Sequence, residues 1–190
     1  MEKNKLAIFD MDGTLFDTKN VNYKAYSRAL EESGFTVGID YKYYCEFCNG
    51  NNYKVFLPIL VPEITAEKMQ EVHDRKKQLY AGYLNNARKN EHLFSMIDLI
   101  KEEYYVAMVT TASRKNVDDI LSTFGVSEVF DFVFTQEDVK KSKPDPEGFL
   151  LAMEKAGVDN EDTLIFEDSD TGIEAAQRSG ANYMRVYGYN

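Results

Sequence analysis

At 190 residues with 44% hydrophobic side chains, the chain is long enough for one domain, or one domain carrying an insertion, around a real core. Its formal net charge of −10 argues against a nucleic-acid backbone or an anionic lipid surface as partner. An anionic substrate would need a local positive pocket set against that global field. No signal-peptide stretch and no membrane span is found, so a cytoplasmic monomer is expected.

In chain order, Leu6-Ala7-Ile8-Phe9 reads as a short buried strand. It runs straight into Asp10-Met11-Asp12-Gly13-Thr14, where Gly13 lets the backbone turn sharply. Two carboxylates at the mouth of a buried strand are costly to desolvate without a use. The arrangement suits a hard cation, or a nucleophile beside an acid/base. From about Phe16 to Asn90 the texture is helical. Val21–Ser33, Tyr41–Cys48 and Tyr53–Leu60 are candidate helices, and Thr65 caps a long one running to Arg88. Its Met69, Val72, Leu79 and Tyr83 form a packing face. Cys45 and Cys48 read as two small apolar residues on one helical face, because only His73 and His92 remain to complete a zinc site.

After Leu93 strands and helices alternate. Helices are expected at Phe94–Glu103, Val117–Phe124, Gly148–Ala156 and Ile173–Ser179, and strands at Tyr105–Val109, Phe130–Phe134, Thr163–Phe166 and Tyr183–Val186. The predicted fold is α/β: a doubly wound, mainly parallel Rossmann-like sheet with a helical cap inserted after the first strand. Residues 1–15 and 91–190 form the core, and residues 16–90 the cap.

Ligands of such sheets bind at the carboxyl ends of the strands. There the sequence places Asp10 and Asp12, then Thr110-Thr111-Ala112-Ser113 before a helix, then Lys143 ahead of the stiffening prolines Pro144 and Pro146, then Glu167-Asp168-Ser169 before another helix. Singly, each has a structural explanation as a cap or a solvated turn. Together they supply carboxylates for a cation, amides and a hydroxyl for a phosphate, and one lysine.

Asp10-Met11-Asp12-Gly13-Thr14-Leu15-Phe16-Asp17-Thr18, Thr110-Thr111-Ala112-Ser113-Arg114, Lys143-Pro144-Asp145-Pro146 and Phe166-Glu167-Asp168-Ser169 occur in this order. With them, the chain resembles the haloacid dehalogenase superfamily, in the helical-cap branch that includes beta-phosphoglucomutase and phosphoglycolate phosphatase. The resemblance implies hydrolysis of a small phosphorylated metabolite. Asp10 is then the nucleophile that forms an aspartyl phosphate, and Asp12 the acid/base. It implies magnesium held by the Asp10 carboxylate, the Asp12 carbonyl and Asp168, with Glu167 touching the ion directly or through water. Thr111, the Ala112 amide and Lys143 hold the phosphoryl group, while Thr110 faces structure.

The loop around Asn51, Asn52 and Lys54 sits where related caps face substrate. A mutase would want an arginine there for a second phosphate, and Lys54 is an imperfect stand-in. A phosphatase is therefore expected over a sugar-phosphate mutase. A phospho-accepting receiver domain shares strand-end acids, a Thr and a Lys, but lacks the long helical insertion.

Overall fold

The computed structural model describes residues 3–49 and 51–187. In chain order, β1 (Lys5–Phe9) and β2 (Phe16–Asp17) precede α1 (Lys19–Glu32), α2 (Tyr41–Tyr43), α3 (Tyr53–Leu60) and α4 (Ala66–Tyr80). Then come β3 (Arg88–Lys89), α5 (Glu91–Ile100), β4 (Tyr104–Val109), α6 (Arg114–Phe124) and β5 (Phe132–Phe134). The chain finishes with α7 (Glu147–Ala156), β6 (Thr163–Glu167), α8 (Asp170–Ser179) and β7 (Asn182–Arg185). It divides into two compact units, residues 1–17 with 88–190, and residues 18–87.

The first unit is built on a five-stranded sheet in the order β5-β4-β1-β6-β7, with each neighbouring pair parallel. β1 lies at its centre because its residues can be buried on both faces. Leu6 and Ile8 join Ala107, Val109 and Ile165 in one cluster with Phe149, Ala152 and Met153 of α7 and Ala175 and Ala176 of α8. The alternate residues Ala7 and Phe9 are fully buried as well. This is the expected mainly parallel Rossmann-like α/β sheet. Glycines in the left-handed conformation end its helices at Gly125, Gly157 and Gly180. Among the described residues, no helix is long and apolar enough to cross a membrane.

The second unit is helical. Tyr26, Leu30, Tyr44, Phe56, Leu57 and Val72 make its core, with Met69 and Leu79 packed at the edge. Thr65 caps α4 as expected, its Oγ1 accepting from the Lys68 amide at 3.2 Å. The helix does not run to Arg88, however. It gives way to a 3-10 segment over Ala81–Asn86, and Arg88–Lys89 pairs antiparallel with Phe16–Asp17. Nor is Tyr41–Cys48 one regular helix: its last five residues form a π-helical turn. α4 also buries Lys76 and Tyr80 alongside Val72. The lysine ammonium lies 4.9 Å from the Tyr80 ring centre and 5.3 Å from that of Tyr26, so aromatic faces stand in for part of its hydration.

Candidate active site

Sheet register builds the site. Phe9 of β1 pairs with Phe166 of β6, and their rings stack with centroids 4.6 Å apart. The Asp10 amide continues the ladder onto the Phe166 carbonyl at 3.0 Å. Asp10 therefore stands beside the Glu167-Asp168 pair at the carboxyl edge. On the other side, Phe9 pairs with Met108, which sets the start of the Thr110–Ser113 loop alongside.

Gly13, at φ 94°, turns the chain away after Asp12. A Cβ at Gly13 would collide with the Asp168 carboxylate, so the glycine is needed for this close approach as well as for the turn. Asp12 is half-buried within the turn, whose Gly13 amide donates to the Phe16 carbonyl at 2.7 Å.

Lys143 follows β5 in a loop with a cis peptide bond to Pro144. Its side chain is 7% exposed and its ammonium lies 2.6 Å from Asp10 Oδ1, 2.5 Å from Glu167 Oε1 and 3.0 Å from the Val109 carbonyl. Glu167 is wholly buried. Its other oxygen accepts from the Ser169 amide and hydroxyl, each at 3.0 Å. A Cβ at Gly172 would strike this carboxylate. Ser169 in turn caps α8 through the Gly172 amide at 3.1 Å. Asp10, Glu167 and Asp168 each bring an oxygen to within 4.8 Å of the others.

That cluster is short of positive charge. Burial raises the Asp10 carboxyl well above the ordinary range; Lys143 opposes the rise, and the Glu167 and Asp168 charges add to it. Asp168 is pushed up to about 6 by burial, then by Glu167 and Asp12. Burial alone would lower Lys143, but the charges of Asp10 and Glu167 overcome it and hold the ammonium above its usual range. Three converging carboxylates against one ammonium leave room for a further cation, and an all-oxygen donor set suits a hard divalent one.

The Thr110–Ser113 loop lies at the same edge. Thr111 is exposed and Ala112 half-buried. Thr110 is buried, and its Oγ1 accepts the Ala112 amide at 3.1 Å. The amide expected to meet phosphate thus already has a local acceptor, a contact that the sequence pattern does not reveal. Ser113 caps α6. Arg114 donates to the Val133 carbonyl and to the Asp138 carboxylate, and so braces this loop against the end of β5.

Asn51, Asn52 and Lys54 belong to the second unit. The Asn52 side chain caps α3 by accepting the Lys54 amide at 2.9 Å, and Asn51 donates to the Phe47 carbonyl at 3.0 Å. The Lys54 ammonium lies 5.8 Å from the Tyr53 ring centre. Gly50 of the same loop lies outside the described residues. Cys45 and Cys48 are both free thiols.

The haloacid dehalogenase-like hydrolase family profile matches residues 7–186. A phosphorylated carbohydrates phosphatase of Thermotoga maritima is 31% identical over 191 residues, covering 95% of this chain and 83% of that protein. A solved structure described as a putative beta-phosphoglucomutase, also from Thermotoga maritima, is 28% identical with a TM-score of 0.74, over 98% of this chain and 87% of that one. CbbY from Rhodobacter sphaeroides, solved with phosphate, shares the fold with a TM-score of 0.85 at 22% identity, over 98% and 87% of the two chains. The family match displaces the receiver-domain reading. The chain belongs to the haloacid dehalogenase-like hydrolases and stands, by sequence, among relatives named as phosphatases.

Proposed function

We propose that this enzyme is a magnesium-dependent phosphomonoester hydrolase acting on a small phosphorylated metabolite through an aspartyl phosphate on Asp10. The observation that carries the reading is the convergence of Asp10, Glu167 and Asp168 on one point, with the buried Lys143 ammonium already bridging two of them.

Asp10 attacks the phosphorus and the ester oxygen leaves with a proton from Asp12. Asp12 then takes a proton from the water that clears the intermediate. Lys143 lowers the negative charge that builds between Asp10 and the incoming phosphoryl group. Thr111 and the Ala112 amide hold nontransferring oxygens, the amide by sharing or exchanging its bond to Thr110. Asp10, the Asp12 carbonyl, Asp168 and Glu167 would hold magnesium. When bound there, the ion would supply the positive charge that favours ionised Asp10 and Lewis-acid stabilisation of the phosphoryl group's negative charge. Direct contact from Glu167 competes with its bonds to Lys143 and Ser169, so Asp168 is the leading protein ligand beside Asp10.

The helical unit of residues 18–87 is read as the cap, with Asn51, Asn52 and Lys54 tuning substrate choice and the core residues doing the chemistry. The carbohydrate-phosphate relative favours sugar phosphates as the class to test first. A beta-phosphoglucomutase-type activity is the second reading, favoured by the Thermotoga structural neighbour. Against it, Cys48–Lys54 contains no arginine to hold a second phosphate. A cytoplasmic monomer completes the proposal.

The test is phosphate release from a panel of phosphomonoesters, with magnesium and then with excess chelator. Release without a bisphosphate activator, abolished by chelation and restored by magnesium, is expected. Full activity in chelator would contradict the metal site. Rapid conversion of beta-glucose 1-phosphate to glucose 6-phosphate, with little free phosphate, would promote the mutase reading.

A further inference from the structure

One side chain reaches the acid-bearing loop from the outer strand. Arg185 ends β7, and parallel register sets it beside Glu167, the last residue of β6. Its Nη1 donates to the Asp168 carbonyl at 2.9 Å, and its Nη2 to Asp170 Oδ1 at 2.7 Å. The next residue, Val186, donates its amide to the Glu167 carbonyl at 2.8 Å. Two successive carbonyls, of Glu167 at the end of β6 and of Asp168 after it, are therefore tied to the end of β7. On its other side, the Asp168 carboxylate lies against Gly13 and accepts from Thr14 Oγ1 at 3.4 Å. Asp168 is held by its main chain from one direction and by its carboxylate from the other.

A guanidinium beside a cation site is at first sight out of place, because its charge repels the ion. Here the guanidinium pairs with Asp170 at 2.7 Å, a carboxylate 95% exposed, so its charge is partly offset there and screened by solvent. Arginine is the side chain that can do both jobs: its planar fork spans a carbonyl and a carboxylate at once, where a lysine offers a single point charge.

We propose that Arg185 is a positioning residue for the divalent cation. By fixing the Asp168 peptide it sets the direction of the Asp168 carboxylate, and Asp170 holds the guanidinium to that task. This rests on the magnesium reading above. Outer contacts of this kind, when lost, weaken metal affinity by about 10–100-fold. Arg185 acts through a main-chain carbonyl and is partly exposed, so the lower end, about 10-fold, applies here.

The sign of the effect makes the test decisive. Charge alone predicts that Arg185→Met binds magnesium more tightly, since a nearby positive charge is gone. Positioning predicts weaker binding. Magnesium alone is titrated calorimetrically into the full chain and into Arg185→Met, Arg185→Lys, Asp170→Asn and Asp168→Asn. Metal-free melting temperatures are measured for each. The expected result is a dissociation constant raised about 10-fold in Arg185→Met, partial recovery in Arg185→Lys and a smaller rise in Asp170→Asn. An unchanged or lower constant in Arg185→Met overturns the proposal. Should Arg185→Met melt markedly lower without metal, Arg185→Gln takes its place and the same two outcomes decide. If the parent shows no magnesium binding, or Asp168→Asn binds as tightly as the parent, the magnesium site itself fails and the role of Arg185 falls with it.

Discussion

Lys143 is the residue on which the site's electrostatics turn. It is the buried cation among Asp10, Glu167 and Asp168, and two of those acids touch it. Removing one partner of a buried ion pair leaves charge without compensation, at a cost of about 3–5 kcal/mol. Lys143→Met is therefore expected to lower the stability of the metal-free protein by that order, read by chemical denaturation. Excess magnesium should recover part of the stability and little of the turnover, because the phosphoryl group still lacks its neutralising ammonium. A variant as stable as the parent without metal would show that the acids are protonated or solvated instead. Lys143 is legible in the sequence from the prolines that follow it, Pro144 and Pro146, and Asp10 from the incongruity of acids after a buried strand. It could not show that Thr110 accepts the Ala112 amide, or that Arg185 reaches Asp168. The first depends on a side-chain rotation, and the second joins residues on different strands whose register is a tertiary fact.

At the scale of elements, α4 makes its own prediction. His73 stacks on Tyr53 with ring centres 3.9 Å apart, and its Nδ1 lies 2.9 Å from the Tyr26 hydroxyl, which donates to it when the imidazole is neutral. Burial, with Lys77, Lys76 and Lys54 nearby and Asp74 opposing them, pushes His73 down to about 4 from 6.5. The unfolded chain therefore takes up its proton first. The associated stability is fully present above pH ~6.5 and is lost as pH falls toward ~4. Allowing for partial exposure, the loss is about 2 kcal/mol. Denaturation at pH 7, 5 and 4 should show the parent losing that much more than His73→Gln; parallel profiles would contradict it. The elements that sequence revealed well were those with a strong local signal, such as the apolar run of β1, the Thr65 cap and the glycine stop at Gly125. β2 and β3 escaped because a two-residue pair joined across 71 positions has no periodicity to read. The end of α4 escaped because no proline marks it: the chain tightens from α to 3-10 at Ala81, where Asn86 donates to the Tyr83 carbonyl and accepts from Lys24. Lys76 escaped because a lysine between polar neighbours reads as solvated, and only the packing of Tyr26 and Tyr80 encloses it.

Over the whole molecule, a net charge of −10 opposes the approach of an anionic substrate, so the proposed function needs local positive charge at the sheet edge. Magnesium that binds the native chain alone stabilises it by mass action, by about 2.7 kcal/mol at a hundredfold excess over its dissociation constant. For a chain of this size that is a rise in melting temperature of about 5–10 °C. The rise should vanish in Asp168→Asn; an equal rise there would place the ion elsewhere. The central claim is that Asp10 carries the phosphoryl group between substrate and water. Its most direct test is acid quenching of the enzyme during turnover of a hydrolysed sugar phosphate, followed by mass mapping of the peptides. One phosphoryl group on the peptide bearing Asp10 is predicted, absent in Asp10→Asn, with phosphate release in that variant reduced at least ~1,000-fold. An unmodified Asp10 peptide during rapid turnover, together with phosphate release retained in Asp10→Asn, would contradict it.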